Sequence, residues 1–199
     1  SLAWRVTNED RELARMARPR PTMVDYGCIG LAQPPLFTPE FAWGTNGRIV
    51  AVSGGDGYDI GIFEGEDVSA RYRRDVPPRP VTRELAIDEL GDGSDIRSPA
   101  GTCHVDPVAE VEGRGFHEVL PPVADVAVDP DGRLWVERAV FRGETPRIDI
   151  LAADGAYVGT IENTDVFPSA FLTPDLFLAL TKDELDVQYV KLFRVRREY

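Results

Sequence analysis

Short apolar runs closed by clusters of Gly, Asn and Asp set the rhythm of this chain, and one such line occurs twice. Glu40-Phe41-Ala42-Trp43-Gly44-Thr45-Asn46-Gly47-Arg48-Ile49-Val50-Ala51-Val52 lies over Asp125-Val126-Ala127-Val128-Asp129-Pro130-Asp131-Gly132-Arg133-Leu134-Trp135-Val136 without a gap until the end. Each copy reads as strand, tight turn, strand. Asn46-Gly47 and Asp131-Gly132 supply positive φ for two-residue hairpins, and Asp154-Gly155 does so further on. Downstream of each line comes a further apolar strand, Ile60-Gly61-Ile62-Phe63 and then Ile148-Asp149-Ile150-Leu151, and Val190-Lys191-Leu192-Phe193 repeats it near the end. The predicted strands are 41–44, 48–53, 58–63 and 68–72 in the first unit, and 123–128, 133–140, 147–151 and 157–161 in the second. The third has 169–172, 176–180 and 187–196. Ile49 to Val52 is apolar on both faces, as expected of a sheet packed between two neighbours.

The interval from Ile148 to Val190 is 42 residues, which suits four short strands and their turns, and that from Ile60 to Ile148 is 88. This order, repeated, is that of β-propeller blades. The fold expected is therefore all-β: about three four-stranded antiparallel blades, part of or assembling into a propeller, with a short helical insertion. Residues 36–74 form one blade, 75–120 the insertion, 121–163 a second blade, and 164–199 a last blade without its outer strand. Three prolines within Asp75 to Pro80 interrupt pairing, after which Thr82 caps a helix over Arg83 to Leu90 that Gly91 ends. Residues 1–35 hold Leu2 to Thr7, read as a closing strand or as the end of a preceding blade. A stretch with Arg11, Arg15, Arg18 and Arg20 follows, read as a solvated loop or short helix.

A formal net charge of -12 argues against nucleic acid, whose phosphates the summed field repels, and against anionic membrane surfaces. No apolar run reaches the roughly twenty residues of a membrane-spanning helix, and no signal peptide is recognisable at a start that lacks Met. Cys28 and Cys103 both fall in Gly-rich segments read as irregular, where they can meet in a disulfide or remain two thiols; neither belongs to a CxxC pair.

With its Val128 to Val136 hairpin line and its Asp75 to Thr82 line, the chain resembles the six-bladed β-propellers of the NHL-like group of bacterial secreted proteins, and looks like their C-terminal half. The resemblance implies that three blades need either the rest of a longer protein or a second copy, as a homodimer, to complete a ring. It also implies an extracytoplasmic (periplasmic or secreted) location.

Functional groups of propellers gather at the channel mouth. The overlay puts Glu40, Asp125 and Ser169 at equivalent starts of inner strands, where hard oxygens can hold a divalent cation such as calcium. An acid there also serves simply to cap the loop. His117 and Glu118 lie shortly before an inner strand, within reach of a channel mouth, where a histidine can serve as a general base. Neither a GxSxG elbow nor an HExxH helix is present, and Gly54-Gly55-Asp56-Gly57 is a turn between strands. Two functions are therefore weighed. The first is a non-enzymatic module binding a protein, peptide or glycan, with no cofactor; the alternative is a metal-dependent hydrolase or lyase of the lactonase type.

Overall fold

A computed structural model describes residues 3–8, 11–17, 20–65, 67–98 and 101–196, and of residues 3–17 only the backbone course. Among these residues the fold is mostly β, with nineteen strands and two helices. The chain opens with β1 (Ala3–Asn8), which pairs antiparallel with β2 (Arg11–Ala17) as a separate hairpin. The expected loop or helix at Arg11 and Arg15 is thus a strand. The part of the proposed closing strand that is described pairs with β2 and not with the last sheet; Leu2 and Arg18 lie outside the described residues. A hairpin with a two-residue connection has a far smaller closure entropy than pairing across the whole chain. A second hairpin follows, β3 (Thr22–Asp25) and β4 (Gly30–Gln33), with Cys28 in its turn.

The first large sheet is a four-stranded antiparallel meander of β5 (Ala42–Thr45), β6 (Ile49–Ser53), β7 (Asp59–Glu64) and β8 (Asp67–Arg73). The insertion comes next: β9 (Arg79–Pro80), α1 (Arg83–Leu90), β10 (Ser94–Ser98), β11 (Gly101–Val105), α2 (Pro107–Arg114) and β12 (Val119–Leu120). Helix α1 has the expected bounds and caps, with Thr82 Oγ1 accepting from the Leu85 amide and Gly91 at φ 58°. Helix α2 was not legible as a pattern. Its single Asp106-Pro107 signal nevertheless works as chemistry predicts, since Asp106 Oδ1 accepts from the Val108 and Ala109 amides and Pro107 opens the helix. Cys103 lies in strand β11, paired with Ile96 of β10, and not in irregular chain as expected. It is bonded to Cys28 across a Cα separation of 5.9 Å, which ties the β3–β4 turn to the insertion. Val81, Ala86, Val111 and Leu120 of the insertion form a small core with Leu36 and Phe141 from outside it.

The second large sheet repeats the first: β13 (Val123–Val128), β14 (Leu134–Arg138), β15 (Ile148–Leu151) and β16 (Tyr157–Ile161). The third holds β17 (Ala170–Thr173), β18 (Leu176–Lys182) and β19 (Gln188–Arg194). The three sheets stack in series. Ala51, Ile60 and Ile62 of the first meet Val126, Leu134 and Val136 of the second, whereas Trp135 and Ile148 on the other side of the second meet Phe177 and Ala179 of the third. This use of both faces explains why the central strands are apolar throughout.

The hairpin turns differ from the two-residue form. Val128 pairs with Leu134 and Thr45 with Val50, so the loops are 129–133 and 46–49, with positive φ at Gly132 and Gly47 only. The first residue of each loop makes the difference. Asn46 Oδ1 accepts from the Arg48 and Ile49 amides, and Asp129 Oδ1 from the Arg133 amide, which stabilises a wider turn ending in a left-handed glycine.

The first two sheets approach closely at Gly44, where an added Cβ would stand 2.4 Å from the Val126 carbonyl oxygen and 2.8 Å from the Ala127 Cα. Backbone cannot yield as a flexible side chain can. Gly44→Ala is expected to cost about 1–3 kcal/mol in urea unfolding. Gly159→Ala, where a methyl group meets open space, should stay within about 0.5 kcal/mol of the parent. Equal effects at the two sites would contradict the packing of β5 on β13.

Candidate functional site

The inner strands β5 and β13 run side by side, and with β17 they border an open groove of about 360 Å³ lined by Trp43, Thr45, Asp125, Ala127, Ser169 and Phe171 among others. A second groove, of about 530 Å³, lies where β13 begins and β14 ends. Its walls are the strap Pro34 to Thr38 with Glu40, the insertion through Glu89, Arg114 and Leu120, and the sheet through Val123, Glu137 and Arg138. The residues singled out in the sequence therefore divide. Asp125 and Ser169 share the first groove, and exposed Glu40 lines the second. Ser169 is engaged locally, its Oγ accepting from the Leu180 amide. His117 lies apart, with Nε2 2.8 Å from Asp56 Oδ1 in the turn between β6 and β7, while the carbonyl of exposed Glu118 accepts from the Val81 amide. Among the described residues no three side chains of His, Cys, Asp and Glu converge to hold a metal ion.

A residue that the sequence reading passed over completes the acidic feature. Glu137 stands directly opposite Asp125 across the β13–β14 ladder, and strand alternation points both toward the third sheet, as it does Trp135. Both are half-buried. Burial raises the Asp125 carboxyl above the usual range, opposed by a hydrogen bond from the Val126 amide; burial and then the Asp125 charge raise that of Glu137. The sign follows from the direction. A carboxyl whose folded pKa is raised lowers stability above that pKa, and the penalty fades as pH falls toward the ordinary carboxylate range near ~4. Like charges directly opposite in a sheet cost roughly 0.2–1 kcal/mol. Glu137→Gln should therefore raise stability by about that amount at pH 7, with the gain shrinking toward pH 4, as read by thermal melts across pH. A gain that is independent of pH would contradict the assignment.

A buried charge with two arginine partners lies elsewhere, between the first and second sheets. Asp149 on β15 is 1% exposed and accepts from Arg74 Nη1 at 2.5 Å, from Arg138 Nη1 at 3.4 Å and from Thr160 Oγ1 at 2.6 Å. The Arg74 guanidinium lies 3.9 Å from the Tyr157 ring centroid and 5.4 Å from that of Tyr58. The Tyr58 hydroxyl is buried without a hydrogen-bond partner, and burial followed by the Asp149 charge pushes its pKa upward, so it stays neutral. This cluster is a structural clamp, because both guanidinium groups are turned to Asp149. Its signal in the sequence was an Asp inside an otherwise apolar strand, Ile148-Asp149-Ile150-Leu151.

What remains accessible is the groove beside β13. Glu40, Glu89 and Glu137 face it, while its arginines are engaged, Arg114 with Glu110 at 3.3 Å and Arg138 with Asp149. Its local charge is therefore negative. No family model, curated protein or solved structure matches this chain.

Proposed function

We propose that the three stacked sheets are blades of an incomplete β-propeller, similar to the NHL-like group, and that the chain works as a non-enzymatic binding module of an extracytoplasmic protein. The observation that carries the reading is the open, negatively charged groove between the insertion and the inner strands, whose carboxylates Glu40, Glu89 and Glu137 have no cation partner among the described residues. Such a surface favours a peptide or protein segment bearing Lys or Arg, held by charge at the rim and by the proline-rich strap along its length. The Cys28–Cys103 disulfide supports an oxidising compartment, and among the described residues no helix is long and apolar enough to cross a membrane.

The test is a panel of basic, neutral and acidic peptides and neutral glycans, applied to the chain with and without calcium or zinc, alongside ester and lactone turnover. The reading expects basic peptides to bind best, without turnover. Preference for glycans, or metal-dependent hydrolysis, would overturn it.

A further inference from the structure

Among the described residues, each end of the stack leaves one sheet face without a neighbouring sheet, and the two faces are of opposite kinds. On the third sheet, Phe177 and Ala179 point back to the second sheet, so the alternate residues of β18, with their partners on β17 and β19, point outward. That outward face carries Leu172, Leu180, Val190 and Leu192, exposed at 56%, 59%, 65% and 57%. It is a ridge of apolar side chains on a sheet whose other face is fully used. On the first sheet, Ala51, Ile60 and Ile62 are committed to the second, so the opposite face carries Trp43, Val52, Phe63 and Val68. Trp43 and Val68 are 56% and 61% exposed, while Val52 and Phe63 are buried at the floor of a shallow groove of about 270 Å³.

We infer that the open face of the third sheet docks on the open face of the first sheet of a second copy of this chain, and the reverse, closing a two-copy ring. The choice of occupant rests on the pairing the chain already makes twice. The first sheet gives its forward face to the backward face of the second, and the second does the same to the third. The two open faces are the remaining backward and forward halves of that same interface, so any copy carries both. A head-to-tail contact of this kind either closes or polymerises, and the smallest closure uses two copies. Contiguous apolar faces of this extent are otherwise uncommon on soluble monomers.

The inference rests on the blade reading of the proposed function but not on the ligand. Light scattering after size exclusion should give twice the mass of one chain. Leu180→Lys with Leu192→Glu alters only the third-sheet face, and Trp43→Glu with Val68→Lys only the first; these side chains are already solvent-exposed, so circular dichroism should show both variants folded. Each variant alone should run at the mass of one chain, because every ring uses each face twice. Mixing the two variants should restore a fraction at twice that mass, since one of the two contacts is then unaltered. A monomeric parent, an open-ended polymer, or a dimer that survives either pair of substitutions would overturn the inference. A dimer that binds no basic peptide would instead sink the ligand reading and leave the ring standing, and a monomer that binds one would do the converse.

Discussion

Asp149→Ala is expected to lose about 3 kcal/mol of unfolding free energy. Removing one partner of a buried ion pair leaves the other charge uncompensated, and such changes cost roughly 3–5 kcal/mol. The lower end applies here because Arg74 keeps 29% of its side-chain surface in water and can turn outward, whereas Arg138 keeps 18%. Against a total stability of roughly 5–15 kcal/mol for a domain, this is a substantial share. Thr160→Val, which removes only the hydroxyl donated to Asp149, should cost about 1 kcal/mol. Urea unfolding at two ionic strengths is the appropriate measurement, since a buried pair is screened far less than a surface one. A loss below about 1 kcal/mol, or one abolished by salt, would mean that the cluster does not clamp the first sheet to the second.

Cys28→Ser with Cys103→Ser should produce a loss of comparable size. The bond closes a sequence separation of 75 residues, for which loop entropy alone gives about 4.5 kcal/mol, and measured losses centre on about 2–4 kcal/mol. The effect should also be local. The β3–β4 hairpin contributes one buried apolar side chain, Val24, and sits against Gly113 of α2 through it. Without the bond, amide protection should fall first in residues 22–33 and 94–105 and persist in β6, β7, β14 and β15. Unchanged protection in the hairpin would show that packing alone holds it to the insertion.

The sheets were legible because their signals are local. Val123–Val128 and Tyr157–Ile161 appear with the bounds that alternation and turns implied, and α1 likewise, since Thr82 and Gly91 are residues with a single strong use at helix ends. The N-terminal hairpin escaped because the charged residues of β2 carry no apolar alternation, and α2 because a helix of eight residues leaves little periodicity to read. The site was lost through one residue of register. A two-residue turn at Asp131-Gly132 would set Asp125 opposite Arg138, an ordinary ion pair; the wider turn capped by Asp129 sets it opposite Glu137 instead. An entire reading of the groove's charge thus hangs on a side-chain hydrogen bond in a loop. Glu40 and Asp125, equivalent in the overlay, open to different grooves for a related reason, since Asp125 belongs to β13 while Glu40 precedes β5.

The same register ties stability to function. If Glu137 is kept charged for a cationic ligand, then the substitution that stabilises the free protein should weaken the complex, the familiar conflict between a strained site and a stable fold. The decisive measurement is a calorimetric titration of a Lys- and Arg-containing peptide into the parent chain and into Glu40→Gln with Glu137→Gln. The account predicts saturable binding to the parent, with no product formed, and an affinity at least about tenfold weaker in the variant, equivalent to about 1.4 kcal/mol. Equal affinity in both proteins, or consumption of the peptide, would contradict the claim that this acidic groove is the working surface of the molecule.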